Sequence, residues 1–243
     1  MFTYCRVTLA AILVLPLIIN CSKSTRTECT PRTPKADEEA ELIALCLSGE
    51  LVAPDGLYEQ VRRDLATIRA TFGDTIELID QIRFSPPWSP GFLMIGFDVT
   101  AVEQIRSGQY HAWDELNEKY EVMTIDTMLL DWIGLATLSF KGRLHGHRLA
   151  ELYGVLPGTW TVNPSYSRGD LPNVYCRQTW EGMTYLFRYG WGDCPSGCIY
   201  SEFWYFRVDD NLPAFVGHWA PHQEPNVPEW WEEARLNREH YCD

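Results

Sequence analysis

Residues 190–206, reading GWGDCPSGCIYSEFWYF, constrain this chain more than any other stretch. Cys194 and Cys198 enclose Pro195, Ser196 and Gly197 between two aromatic runs. Proline presets φ and glycine permits a positive φ, so the chain is expected to reverse there as the tip of a hairpin. Setting Cys194 against Cys198 pairs Trp191 with Ser201, Tyr189 with Phe203 and Phe187 with Tyr205. On the other face it pairs Arg188 with Trp204, leaving Glu202 a diagonal neighbour of Arg188, and Leu186 with Phe206. Facing cysteines about 5.5 Å apart at Cα bridge without strain, so a disulfide that locks this register is expected. A zinc site needs about four ligands, and no second cysteine pair at similar spacing accompanies this one.

The compartment follows from the N-terminus. Arg6 precedes an apolar run over residues 7–19, too short for a comfortable membrane span and suited to the core of a signal peptide over residues 1–20. The run closes as Ile18-Ile19-Asn20-Cys21-Ser22, which resembles the bacterial lipobox, with Asn20 departing from the small residue usual before the cysteine. That resemblance implies an exported, envelope-located chain lipidated on Cys21, with ordinary secretion into the periplasm or medium as the alternative. The formal charge is −13, and losing residues 1–20 removes Arg6 and no acid, which gives −14. Without clustered Lys and Arg, nucleic acid and anionic membrane are excluded as partners, and membrane contact is left to the lipid.

Of eight cysteines, Cys5 leaves with the signal and Cys21 would carry the lipid. The remaining six imply three disulfides in an oxidising compartment, with fifteen possible connectivities. Proximity favours Cys29 with Cys46 beside the hairpin pair, leaving Cys176 with Cys242, and no thiol is assigned to catalysis.

The rest of the chain divides by composition. Residues 21–37 are rich in Thr, Ser, Pro and charge and read as a flexible tether. Residues 38–84 read as a helical preface. A short helix carries Leu42, Ile43, Leu45 and Leu47, and a second, after Pro54, carries Leu57, Val61, Leu65, Ile68 and Phe72. Glu59, Arg62, Arg63 and Asp64 fall on the latter's solvated face. Over residues 85–168 a strand at 92–99 leads to a helix capped by Thr100. Strands at 122–128 and 133–141, a helix at 148–156 and a strand at 160–163 follow. That β, α, β, β, α, β order resembles the ferredoxin-like split βαβ arrangement. Residues 169–243 read as an antiparallel unit built on the hairpin, with a tail helix near Pro228, so the whole is α+β.

The motif Gly-Asp-Cys-Pro-Ser-Gly-Cys-Ile, followed by Phe203-Trp204-Tyr205-Phe206 behind a lipobox-like signal, resembles a group of uncharacterised bacterial secreted or lipid-anchored proteins. The resemblance implies export and the cysteine hairpin and brings no activity with it.

No G-x-S-x-G, G-x-x-x-x-G-K-[ST] or G-x-G-x-x-G occurs. His145 and His147 flank Gly146 and, with His218 or His222, would supply the three protein ligands of an open zinc site. Asp193 and Glu202 have no spacing that marks an acid–base pair. The reading these residues carry is surface recognition without catalysis, through an exposed stripe of Tyr189, Trp191 and Phe203 that meets a protein or carbohydrate ligand at the envelope. No cofactor is expected. Two alternatives stand beside it: a metal-assisted hydrolase using His145 and His147, and a peptidase-inhibitor or prodomain-like module.

Overall fold

Two helices built on the expected apolar spacing lie at the start of the computed structural model, which describes residues 33–164, 171–193, 197–239 and 242. Residues 1–20, read above as a signal peptide, and Cys21, Cys29 and Cys194 lie outside the described residues. Helix α1 (Glu38–Ser48) begins where the Asp37 carboxylate accepts from the Ala40 amide at 3.1 Å, and it ends at Gly49 with φ of 60°. Helix α2 (Asp55–Phe72) follows Pro54 and buries Tyr58, Val61, Leu65 and Ile68. Asp64, placed on the solvated face by its sequence context, is 1% exposed and accepts the Tyr185 hydroxyl at 2.8 Å. Burial raises its pKa, and the reason it faces inward is the sheet that lies against this helix.

The middle of the chain runs β1 (Phe92–Phe97), α3 (Val99–Arg106), α4 (Asp114–Lys119), β2 (Val122–Leu129), β3 (Gly134–Phe140), α5 (Gly146–Gly154) and β4 (Thr159–Asn163). Its strands lie in the order β2-β3-β1-β4, with every neighbouring pair antiparallel. Leu93, Ile95, Phe97, Ala136, Leu138 and Phe140 share a core with Ala101 and Val102 of α3 and Leu149 and Tyr153 of α5. Helix α3 starts earlier than expected because Asp98, not Thr100, caps it, accepting from the Ala101 amide at 2.9 Å.

A second sheet, β5 (Asn173–Thr179), β6 (Gly182–Trp191), β7 (Tyr200–Asp209) and β8 (Leu212–Trp219), is a meander in sequence order. The fold is therefore α+β with two antiparallel sheets. On one face Val174, Cys176, Tyr185, Phe187 and Phe206 pack with Ile43, Leu45, Val61, Leu65 and Ile68 of the N-terminal helices. On the other, Tyr175, Leu186, Phe203 and Tyr205 meet Trp230, Trp231 and Ala234 of the C-terminal segment, which forms α6 (Trp231–Ala234) and α7 (Leu236–Glu239). Buried Asn237 fastens that segment, its side-chain amide donating to the carbonyls of Tyr175 and Thr184 at 3.1 Å each.

The cysteine pairing departs from expectation. Cys46 at the end of α1 is bonded to Cys242, with Cα atoms 4.5 Å apart, so neither Cys29–Cys46 nor Cys176–Cys242 forms. Packing of α1 on the second sheet brings Cys46 to the far end of the chain, which proximity in sequence could not reveal. Cys176 is a buried free thiol whose pKa burial pushes well above the ordinary value. Cys198 is disulfide-bonded, and its expected partner Cys194 lies outside the described residues.

Arg143 joins the two units, pairing with Glu41 at 2.7 Å and Glu38 at 3.0 Å. Nearby, Arg148 donates to the Gly49 carbonyl at 2.8 Å and the His145 amide donates to that of Leu51 at 3.1 Å.

Candidate functional site

The hairpin strands of β6 and β7 pair one residue away from the register their cysteines suggest. Trp191 lies opposite Tyr200, Tyr189 opposite Glu202, Phe187 opposite Trp204 and Arg188 opposite Phe203. A one-residue slip exchanges the faces of one strand relative to the other. Here both faces of the sheet are apolar and buried, so alternation alone does not choose between the two registers. The choice falls to packing: Tyr185, Phe187, Trp204 and Phe206 meet the helices, and Leu186, Phe203 and Tyr205 meet the C-terminal segment.

This register decides which aromatic side chains remain outside. Phe203 leaves the expected stripe: it is buried on the opposite face, 6.1 Å from Trp219 and 4.7 Å from Trp231 between ring centroids. Arg188 is likewise buried on that face and donates to the Ser201 hydroxyl at 3.1 Å, so Glu202, its diagonal neighbour in the suggested register, lies on the opposite face. Tyr189 and Trp191 are half-buried, and Tyr200, which the sequence reading passed over, joins them at 43% exposure. Ring centroids lie 5.8 Å apart for Tyr189 and Trp191 and 5.7 Å apart for Trp191 and Tyr200. The interplanar angles are 33° and 30°, so the three rings form a platform of tilted, partly overlapping faces.

Polar groups border it. Glu202, between Tyr200 and Trp204 on the same face, has Oε2 3.4 Å from His218 Nε2, and the His218 ring lies 5.1 Å from that of Trp204. His222 stands nearly perpendicular to Trp191, 5.0 Å between centroids, and 5.4 Å from Tyr200. Asp193 is exposed in the turn after β6. The signal that would have found Tyr200 and His222 was available only as aromatic content near the hairpin, because their meeting depends on the register and on the chain after β8.

No protein-family model, curated protein or solved structure matches the chain. Its chemistry has to be argued from these side chains.

Of the histidines of the alternative zinc site, His145 and His147 lie with ring centroids 6.0 Å apart beside Trp88, and no third ligand joins them among the described residues. The strand preceding His145 ends at Phe140, and His145 is the N-cap of α5, its Nδ1 accepting from the Arg148 amide at 3.5 Å. His145 is 2% exposed against Trp88, 4.2 Å between ring centroids, whereas His147 is exposed and His218 belongs to the pair with Glu202. Among the described residues no group of three His, Cys, Asp or Glu side chains is placed to hold a metal ion.

His145 instead makes stability depend on pH. Burial, with smaller effects from His147 and Arg148 opposed by Glu151, lowers its pKa from 6.5 to about 4. The neutral ring is the folded form. The stability it confers is therefore complete above the ordinary histidine value and is lost as pH falls from there through about 4. The loss reaches about 3 kcal/mol. His145→Asn keeps a capping acceptor and removes the titration, so urea unfolding of the two proteins between these pH values should diverge by that amount. Parallel curves would show that His145 has no part in the acid sensitivity.

Proposed function

We propose that this chain is a recognition protein of the bacterial cell envelope, exported, anchored through lipid on Cys21, and acting by binding and not by catalysis. The observation that carries the reading is the platform of Tyr189, Trp191 and Tyr200 at the hairpin end of the sheet, where Trp191 is half-buried and Tyr200 is 43% exposed. Large flat side chains held by a paired hairpin lose little freedom on binding, which is why such residues dominate contact energetics. The order β2-β3-β1-β4 with helices on one face supports reading residues 92–163 as a ferredoxin-like split βαβ unit. We assign that unit no activity, since the fold does not specify one.

Binding to washed envelope preparations tests this. Full-length Cys21→Ser protein should bind saturably, and adding Trp191→Ala with Tyr200→Ala should weaken it by about 2 kcal/mol or more, roughly thirtyfold. Equal binding by the two proteins would remove the platform from the function.

A further inference from the structure

We infer that two copies of this chain pair antiparallel through the free edge of β2, about a two-fold axis at Ile125, so that their first sheets run on into each other. The inference is independent of the aromatic platform and of the recognition reading.

Four strands end the two sheets, and three of them are guarded. β4 has five residues, β5 carries Arg177, and β8 carries Pro213. Short length, charge and proline are what keep an edge from accepting a further strand. β2 has eight residues with no proline and Asp126 as its only charge, and residues 123–128 are all exposed. Met123, Ile125 and Met128 among them are 62%, 40% and 55% exposed, an apolar content that an edge facing water does not need.

The ladder to β3 fixes which backbone groups are free. The Leu130 amide donates to the Ile133 carbonyl at 2.9 Å, and antiparallel bonding alternates from there along β2. The amides and carbonyls of Thr124, Asp126 and Met128 therefore turn to β3, and those of Ile125, Thr127 and Leu129 turn outward. In keeping with this, the Leu129 carbonyl accepts from Arg106 at 2.8 Å, which closes one end of the edge. The bulge between Val122 and Thr124 closes the other. Ile125 and Thr127 are left between them, on a side where β2 has no neighbouring strand among the described residues.

Charge and that Arg106 contact select the register of a second copy. A two-fold axis at Asp126 sets the two carboxylates directly against each other, which is unfavourable. An axis at Thr127 asks the Ile125 amide to bond the Leu129 carbonyl that Arg106 already holds. An axis at Ile125 avoids both conflicts. It lets Ile125 exchange two backbone hydrogen bonds with its own copy, sets Asp126 against the uncharged Thr124, and sets Met128 against Val122. The single acid of the strand thus leaves self-pairing open even in a chain of formal charge −13. Pairing uses up both edges, so it closes at a dimer. One strand pair is small beside a standard interface of about 1,600 Å², which puts the dissociation constant on the order of 10 μM.

Sedimentation equilibrium of full-length Cys21→Ser protein from about 1 to 500 μM tests the inference, with dimer expected to predominate at the upper end. Ile125→Pro should weaken association at least about tenfold and keep the fold, because the amide it removes is unpaired in the monomer. Ile125→Lys sets two ammonium groups at the axis and should have the same effect, which keeps the test decisive if the proline variant misfolds by circular dichroism. Under mild oxidation Ile125→Cys should cross-link beyond the parent protein and Thr127→Cys should not, since only residue 125 meets its own copy. A monomer at every concentration overturns the inference, and so does a dimer that the folded Ile125 variants leave intact. Cross-linking through Thr127→Cys in place of Ile125→Cys overturns the axis. A monomer whose binding to washed envelopes is lost in Ile125→Pro would assign the edge to a strand of another protein and overturn self-pairing.

Discussion

Replacing Cys46 and Cys242 together by serine should lower the unfolding free energy by between about 2 and 5 kcal/mol, with the midpoint of denaturant unfolding moving accordingly. The bridge spans a sequence separation of 196 residues, and the chain-entropy treatment gives about 5 kcal/mol for a loop of that length. Residual structure in the unfolded chain makes that value a ceiling. The native state adds a local reason for the effect. Cys46 terminates the buried stretch of α1, and Cys242 lies just beyond the segment whose Trp230, Trp231 and Asn237 cover the outer face of the second sheet. Wild-type protein unfolded in the presence of a reductant should lose at least as much, since the reductant also opens the bridge at Cys198. A double-serine variant as stable as wild type would mean that the covering segment is held by its side chains alone.

Glu39→Ala should cost about 3 to 5 kcal/mol, because it strands a guanidinium that has little access to water. Arg69 donates to Glu39 through two nitrogens, at 2.8 and 2.9 Å, and the side chains of the pair are only 17% and 12% exposed. The same carboxylate accepts from the Phe84 amide at 2.9 Å, and Arg69 reaches the Ile82 carbonyl at 3.0 Å, so one pair joins α1, α2 and the segment before β1. Glu39→Leu combined with Arg69→Met should recover most of the loss, since a buried pair replaced by apolar groups of similar volume is often neutral. Equilibrium unfolding of the singles and the double closes the cycle. A double variant as damaged as the single would assign the cost to the Phe84 amide and the Ile82 carbonyl.

Where a helix or strand had one wet face, its pattern was readable. Helix α2 occupies the span that Leu57, Val61, Leu65, Ile68 and Phe72 mark, and β3 points Leu135, Thr137 and Ser139 to one side as its alternation requires. Where two faces are buried the pattern is silent, and the register of β6 and β7 shows the cost. One residue of slip moved Phe203 inside and brought Tyr200 to the platform. Asp64 was misplaced because it is polar on a surface that another element covers, and a polar residue carries no mark of being covered. The disulfide between Cys46 and Cys242 depends on packing across nearly the whole chain, which spacing does not encode.

The shared core of α1, α2 and the second sheet has a consequence for when this protein can fold. The helices are synthesised first, yet the strands that bury Val61, Leu65 and Ile68 come from the last third of the chain. Short amphipathic helices without their apolar partner are marginal in water. During synthesis the N-terminal segment therefore has little to hold it in shape, and contacts between such distant stretches form slowly. The export proposed above would gain from that delay, since completion of this core waits for strands that follow the helices at a long distance in the chain.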